Sequence, residues 1–129
     1  MVKELCEYIV ASGNLDDLII GTTLHARPFP QDAPDNGTAI LEPVPSIVND
    51  YFTDLRQKTF QVVTRGATYH AARTESFRIN EFLITRRGIS LTGYDVYHIT
   101  GTESAYIGID DNGLHLWIFN IVVNCRKET

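Results

Sequence analysis

Between Lys58 and Ile84 the spacing of the apolar residues changes period in mid-run. Thr59–Thr64 alternates, with Phe60 and Val62 on one face and Gln61 and Val63 on the other, in residue types that suit a strand. Arg65-Gly66 breaks the alternation. From Ala67 the period rises to about 3.6 residues, so a helix follows directly, and Tyr69, Ala72, Ser76, Ile79 and Leu83 fall on one stripe. A strand feeding an amphipathic helix through a short turn is a packing unit. It holds no nucleophile beside a base, no phosphate loop and no ligand cluster, so what it specifies is architecture.

The rest of the chain supplies partners for that unit. Val2–Ala11 reads as a helix with Val2, Leu5, Tyr8 and Ile9 on one stripe, stopped by Ser12-Gly13-Asn14. Asp16–Gly21 includes the apolar run Leu18-Ile19-Ile20, and Pro28, Pro30 and Pro34 then impose an extended, irregular segment. Gly37–Glu42 predicts a short strand closed by Pro43 and Pro45. Ile47, Val48, Tyr51, Phe52 and Leu55 recur at helical spacing, which fits either a short helix or a loop docking apolar side chains on a neighbour. Gly88–Leu91 and Tyr94–Thr100 read as strands around a Thr92-Gly93 turn, and Ala105–Ile109 as a short strand. Asp111-Asn112-Gly113 is a hairpin signal, because Asn-Gly accepts positive φ.

Leu114–Cys125 is the longest strand and is apolar on both faces through Leu116, Trp117, Ile118, Phe119, Ile121, Val122 and Val123. A strand apolar on both sides is covered on both sides. With two good helices in the chain, the missing cover points to another subunit. The expected fold is α+β: a mostly antiparallel twisted sheet built from strands near Ala39, Val62, Val96, Ile107 and Ile118, with the two main helices packed on one face. No repeat, low-complexity tract or linker interrupts the sequence, so residues 1–129 read as one domain.

Charge narrows the partners. The net charge of −5 argues against a surface that grips nucleic acid, which needs clustered Lys and Arg to displace counterions. The basic residues bunch at Arg73/Arg78 and at Arg86-Arg87, a pattern that suits a solvated helix face and a favourable C-terminal charge. No apolar run is long enough for a membrane span, and the N-terminal residues lack a signal-peptide pattern, so synthesis and residence in a cytoplasm are expected. Cys6 and Cys125 do not make a disulfide framework and read as small buried hydrophobes.

Candidate chemistry is sparse. His25, His70, His98 and His115 form no two-His helical pair, and Cys-x-x-Cys is absent, so no metal is expected. Asp110-Asp111-Asn112-Gly113 suggests a calcium loop only until its ligand positions are counted, since the first falls on Gly108 and the last on Phe119. Glycine-rich nucleotide loops and the Gly-x-Ser-x-Gly elbow are missing. Glu75 with Glu81 and Asp50 with Asp54 are carboxylate pairs on solvated helix faces, with nothing to raise a pKa. No enzyme activity and no cofactor are expected. Phe77 and Ile84 point well over a right angle from the Ala72/Leu83 stripe, Phe77 among His70, Arg73 and Glu81. That suits either plain exposure or a contact with the first helix or a second subunit, so Phe77, Arg73 and Ile84 are subunit-interface candidates.

The opening unit also resembles the tail-terminator and minor capsid proteins of long-tailed bacteriophages. The pattern is a strand carrying Gln61, Val62 and Arg65, a short turn, then Tyr69, Ala72 and Ile79. Pro34-Asp35-Asn36-Gly37 before Ala39-Ile40-Leu41 is similar to the family's Pro-Asp turn into its first strand. Ile107-Gly108-Ile109-Asp110-Asp111-Asn112-Gly113, followed by a strand containing Asn120, is similar to its late turn and Asn-containing strand. The run Val44–Gln57 departs from the pattern by its length.

The resemblance implies a structural virion protein that makes and breaks no bond. It implies a ring, expected to be a hexamer, that caps the head-proximal end of the tail tube, stops its polymerisation and presents a surface to the head. The implied partners are other copies of the chain, the tail tube protein and a head-completion or connector protein, with no specific nucleic-acid binding and no membrane. Asp50, Tyr51, Phe52, Asp54, Asp110 and Asp111 are the loop residues expected to face the lumen, the tube or the connector. Two alternatives remain open: another neck component, such as a head-closure or connector subunit, and a small cytoplasmic α+β enzyme or ligand-binding domain.

Overall fold

The computed structural model describes residues 1–13, 15, 18–43, 47–48, 54–84 and 86–127, with Val48 described by its backbone alone. The elements run α1 (Val2–Ala11), β1 (Leu24–His25), β2 (Gly37–Leu41), β3 (Ile47–Val48), β4 (Leu55–Gly66), α2 (Tyr69–Leu83), β5 (Arg87–Leu91), β6 (Tyr94–Gly101), β7 (Ala105–Ile109) and β8 (His115–Lys127). The strands form one sheet in the order β1-β2-β4-β8-β6-β5. β3 adds to β4 beyond the end of β2, and β7 adds to β8 beyond the end of β6. Only β1 with β2 is a parallel pairing between these strands. The fold is the expected α+β arrangement.

The centre is the β4–β8 ladder, which keeps one register from Leu55↔Arg126 to Gly66↔His115. Its inner face carries Phe60, Val62, Phe119, Ile121 and Val123, all buried. Helix α1 brings Leu5, Cys6 and Ile9 to the same core, and α2 brings Ile79, Phe82 and Leu83. Both helices therefore cover one face of the sheet. Full burial of each large apolar side chain contributes roughly 1.5–3 kcal/mol, so this shared cluster is the main force fixing helices to sheet.

Local chemistry sets the ends of the elements. The Thr68 side chain caps α2 by accepting from the Ala71 amide at 3.1 Å. Gly66, the last residue of β4, lies so near Ala72 that a Cβ would sit 3.0–3.2 Å from its atoms, which lets helix follow strand in a tight turn. The β6–β7 connection is tied down on two sides. Ser76 Oγ donates to Ser104 Oγ at 2.9 Å, Asn80 Nδ2 donates to the Thr102 carbonyl at 2.9 Å, and the Asn120 amide donates to Thr102 Oγ1 at 3.1 Å.

The outer face is different. Alternation places Gln57, Thr59, Gln61 and Val63 of β4 there, with Leu116, Ile118, Asn120, Val122 and Asn124 of β8. Near β2 this face is covered by the proline-rich segment: Phe29 lies 3.5 Å from where a Gly37 Cβ would stand, and Ala39 is buried. Arg65 fastens that segment. Its guanidinium sits 4.2 Å over the Phe29 ring, and Nη2 donates to the carbonyls of Pro34 at 2.7 Å and Ala33 at 3.4 Å. Leu116, Ile118 and Val122 are left half-buried, with neither helix over them.

Several expectations need correcting. The segment read as helix or docking loop begins with the short strand β3, and Leu55 starts β4; Asp50, Tyr51 and Phe52 lie outside the described residues. Tyr69 is exposed rather than part of the buried stripe, and Phe82 is buried though the stripe omitted it. Ile84 does not continue the helix. It is the C-cap, with extended backbone at φ −71° and ψ 136°, and it packs half-buried against the core.

Candidate subunit-contact surfaces

Phe77 and Arg73 sit in an aromatic corner where α2 crosses the β7–β8 hairpin. The rings of Phe77 and Trp117 meet edge to face with centroids 5.8 Å apart. The Arg73 guanidinium lies 4.5 Å over Phe77 and 5.9 Å from the Trp117 ring. Tyr69 stands 5.3 Å from Trp117 and 4.9 Å from Tyr106, and Tyr106 is 5.6 Å from Trp117. The Tyr106 hydroxyl shares a 3.0 Å hydrogen bond with His115 Nδ1. Strand register builds this corner, since Tyr106 pairs with Trp117 directly. Phe77 is thus half-buried against Trp117 of its own chain. Arg73 and Tyr69 remain exposed beside it. Sequence reasoning missed Trp117, Tyr106 and Tyr69 as a group, because only the β7–β8 register brings them together.

The acidic candidates fall in two places. Asp54 pairs with Arg126 at 2.9 Å, and its carbonyl accepts from the Lys127 amide. Asp110 spends its carboxylate on its own hairpin, accepting from the amides of Asn112 and Leu114, both at 2.9 Å. Gly113 has φ of 78°, the conformation expected of this turn. Asp111 is exposed at the hairpin tip.

The outer face carries no charged side chain between Gln57 and Val63 of β4 or between Leu116 and Asn124 of β8. A groove of about 290 Å³ opens at the β3 end of the sheet, lined by Ile47, Leu55, Gln57, Tyr97, Asn124 and Cys125, with Arg56 as its charged residue. Depletion of charge beside half-buried apolar residues is the make-up of an interface centre.

These surfaces offer little for bond chemistry. Burial pushes the Cys125 thiol up, away from the thiolate that a nucleophile needs. Burial also pushes the Cys6 thiol up to about 12. His25 has its pKa lowered, first by burial and also by the nearby charges of Arg27 and Arg65. Among the described residues, no group of three or more His, Cys, Asp or Glu is placed to hold a metal ion, and no helix is long and apolar enough to cross a membrane.

A sequence comparison with curated proteins finds no match. Among solved structures, a chain of the "Virion of native gene transfer agent (GTA) particle" superposes with a TM-score of 0.62 at 10% identity, covering 82% of this chain and 80% of that one. At that identity the likeness is one of fold. The sequence model of a family described as bacteriophage tail terminator protein matches residues 14–126, which take in β1 to β7, α2 and all but the last residue of β8. The chain therefore belongs to the bacteriophage tail terminator family, structural proteins of the virion.

Proposed function

We propose that copies of this chain close into a ring, a hexamer, that caps the head-proximal end of a phage tail tube. The ring ends tube polymerisation and offers the surface to which a head-completion or connector protein attaches. The family match over residues 14–126 carries this reading. The mechanism is geometric: a closed ring matches the symmetry of the tube's last layer and presents no site for another. The reading assigns no bond-making chemistry to any residue.

Phe77, Arg73 and the exposed rings beside them are proposed as part of the contact between subunits. Asp54, Asp110 and Asp111 are proposed to face the lumen, the tube or the connector, as are Asp50, Tyr51 and Phe52. Ile84, packed against its own core, is the weakest of the interface candidates. With a net charge of −5 per chain, the lumen is neutral or acidic and lets DNA pass without holding it.

Electron microscopy of the purified chain, alone and mixed with tail tubes, tests the reading. The expected images show rings with a central hole, bound to one end of each tube and preventing its further growth. Tubes that continue to lengthen with the protein present, with no density at either end, would overturn it.

A further inference from the structure

Exposed apolar side chains gather at opposite ends of one row of strands. The registers run Leu24–Thr38–Thr64–Trp117–Tyr106 across β1, β2, β4, β8 and β7. At one end Ile19 and Ile20 are 57% and 46% exposed, and Ile20 bridges to Leu24 of β1. At the other end Ile107 and Ile109 of β7 are 52% and 59% exposed, next to Tyr106. β7 pairs with β8 on one side, and its other edge has no strand partner among the described residues. An unpaired apolar edge is a template for association unless it is covered.

The two ends also differ in form. The β1 end holds a hollow of about 220 Å³ lined by Ile20, Gly21, His25, Ala26 and Arg27. The β7 end offers the side chains of Ile107 and Ile109. The pairings fix the directions: β7 runs antiparallel to β8, β8 to β4 and β4 to β2, while β1 follows β2, so β1 and β7 run in opposite senses.

We propose that these two ends meet head to tail between copies of this chain, the β7 edge of one copy seated against the hollow at the β1 end of the next. The inference rests on the ring reading and supplies its contact. A second copy is the occupant because the two apolar ends belong to the same chain and face away from each other. One pair of copies cannot satisfy both ends, so the contact repeats until the row closes. Neighbouring edges in such a row run antiparallel, as most pairings inside the sheet do. The aromatic corner adjoins the same edge, with Tyr106, Tyr69 and Arg73 exposed around the buried Trp117, and Tyr and Arg are residue types that anchor interfaces.

Sedimentation velocity and light scattering on the full chain test the contact, using wild type, Ile109→Asp, Ile20→Asp and an equimolar mixture of the two variants. The expected result is that wild type assembles and each variant alone is monomeric. The mixture should give a one-to-one dimer and nothing larger, because each variant lends its intact edge. Assembly of either variant like wild type, or a mixture that stays monomeric, would overturn this contact while leaving the ring reading in place. A wild-type chain that stays monomeric, alone and with tail tubes, would overturn the ring reading and the contact with it. Thermal melting checks that the variants fold, and Ile107→Ser with Ile19→Ser replaces any variant that does not.

Discussion

Gly101 lies so close to Asn120, the neighbour of its β8 pairing partner Ile121, that no side chain fits between them. A Cβ on Gly101 would fall inside contact distance of the Asn120 carbonyl oxygen, and also 3.0 Å from Ile84 Cδ1. The obstruction is backbone on one side, so no rotamer change relieves it. Gly101→Ala is expected to destabilise the fold by about 2–3 kcal/mol, at the upper end of overpacking costs. Chemical denaturation measures the loss. An unchanged midpoint would mean that β6 can move away from β8 freely.

The Phe77–Trp117 contact gives a smaller effect. Phe77 is half-buried, so Phe77→Ala should cost about 1–2 kcal/mol, less than the roughly 3–5 kcal/mol of a fully buried Phe. Arg73→Ala removes only the guanidinium over the ring and should cost about 0.5–1 kcal/mol. The double variant should lose less than the sum, because each change also removes the other's partner. Strict additivity in a double-mutant cycle would show that the stacked pair does not act together.

His25 predicts a pH dependence. Its ring is buried, its Nε2 has no hydrogen-bond partner among the described residues, and burial holds its pKa below 6.5. The unfolded chain therefore takes up a proton first as pH falls. Stability is fully present above about pH 6.5 and declines as pH drops towards the folded-state pKa. The slope for a single proton is at most about 1.4 kcal/mol per pH unit. Denaturation midpoints followed from neutral to mildly acid pH should show this slope, and His25→Phe should flatten it. A slope unchanged in His25→Phe would assign the proton to another group.

Cys6 predicts the opposite sign at high pH. Its thiol is held at about 12 in the folded chain against 9.0 unperturbed, so the unfolded state ionises first. The contribution to stability is complete below about pH 9 and is lost as pH rises towards 12. In the native protein both cysteines should react with a disulfide reagent only at the rate of unfolding. Fast labelling of either thiol under native conditions would contradict the burial described here.

Where the sequence was informative, a local period carried the information. Helix α1 lies over the predicted residues, because its apolar stripe ends at a Ser-Gly pair and Gly13 takes φ of 73°. β7 likewise spans the predicted Ala105–Ile109. The two-residue strands β1 and β3 were not legible, since two residues display no period. β4 begins at Leu55, earlier than expected, because Arg56, Gln57 and Lys58 do not look like strand core. Yet Lys58 points inward, with its ammonium 5.1 Å from the centre of the Tyr94 ring. Ile84 was misplaced because helical spacing stops applying at an extended C-cap. Phe77 points away from the core stripe, as expected, but meets Trp117, whose position depends on a strand pairing that no helical projection contains.

The unbroken β4–β8 ladder has a consequence for the order in which the protein can be made. Its two strands are separated by α2 and by β5, β6 and β7, so that Leu55 must find Arg126 and Gly66 must find His115. β8 is synthesised after every strand it pairs with. While it is still inside the ribosome, β4, β6 and β7 present unpaired edges to the cell, and α1 and α2 lack much of the surface that holds them. Folding dominated by such distant pairings is slow, and its intermediates expose strands that invite aggregation. The nascent chain therefore has to wait for β8 before it can complete the surfaces through which copies are proposed to meet.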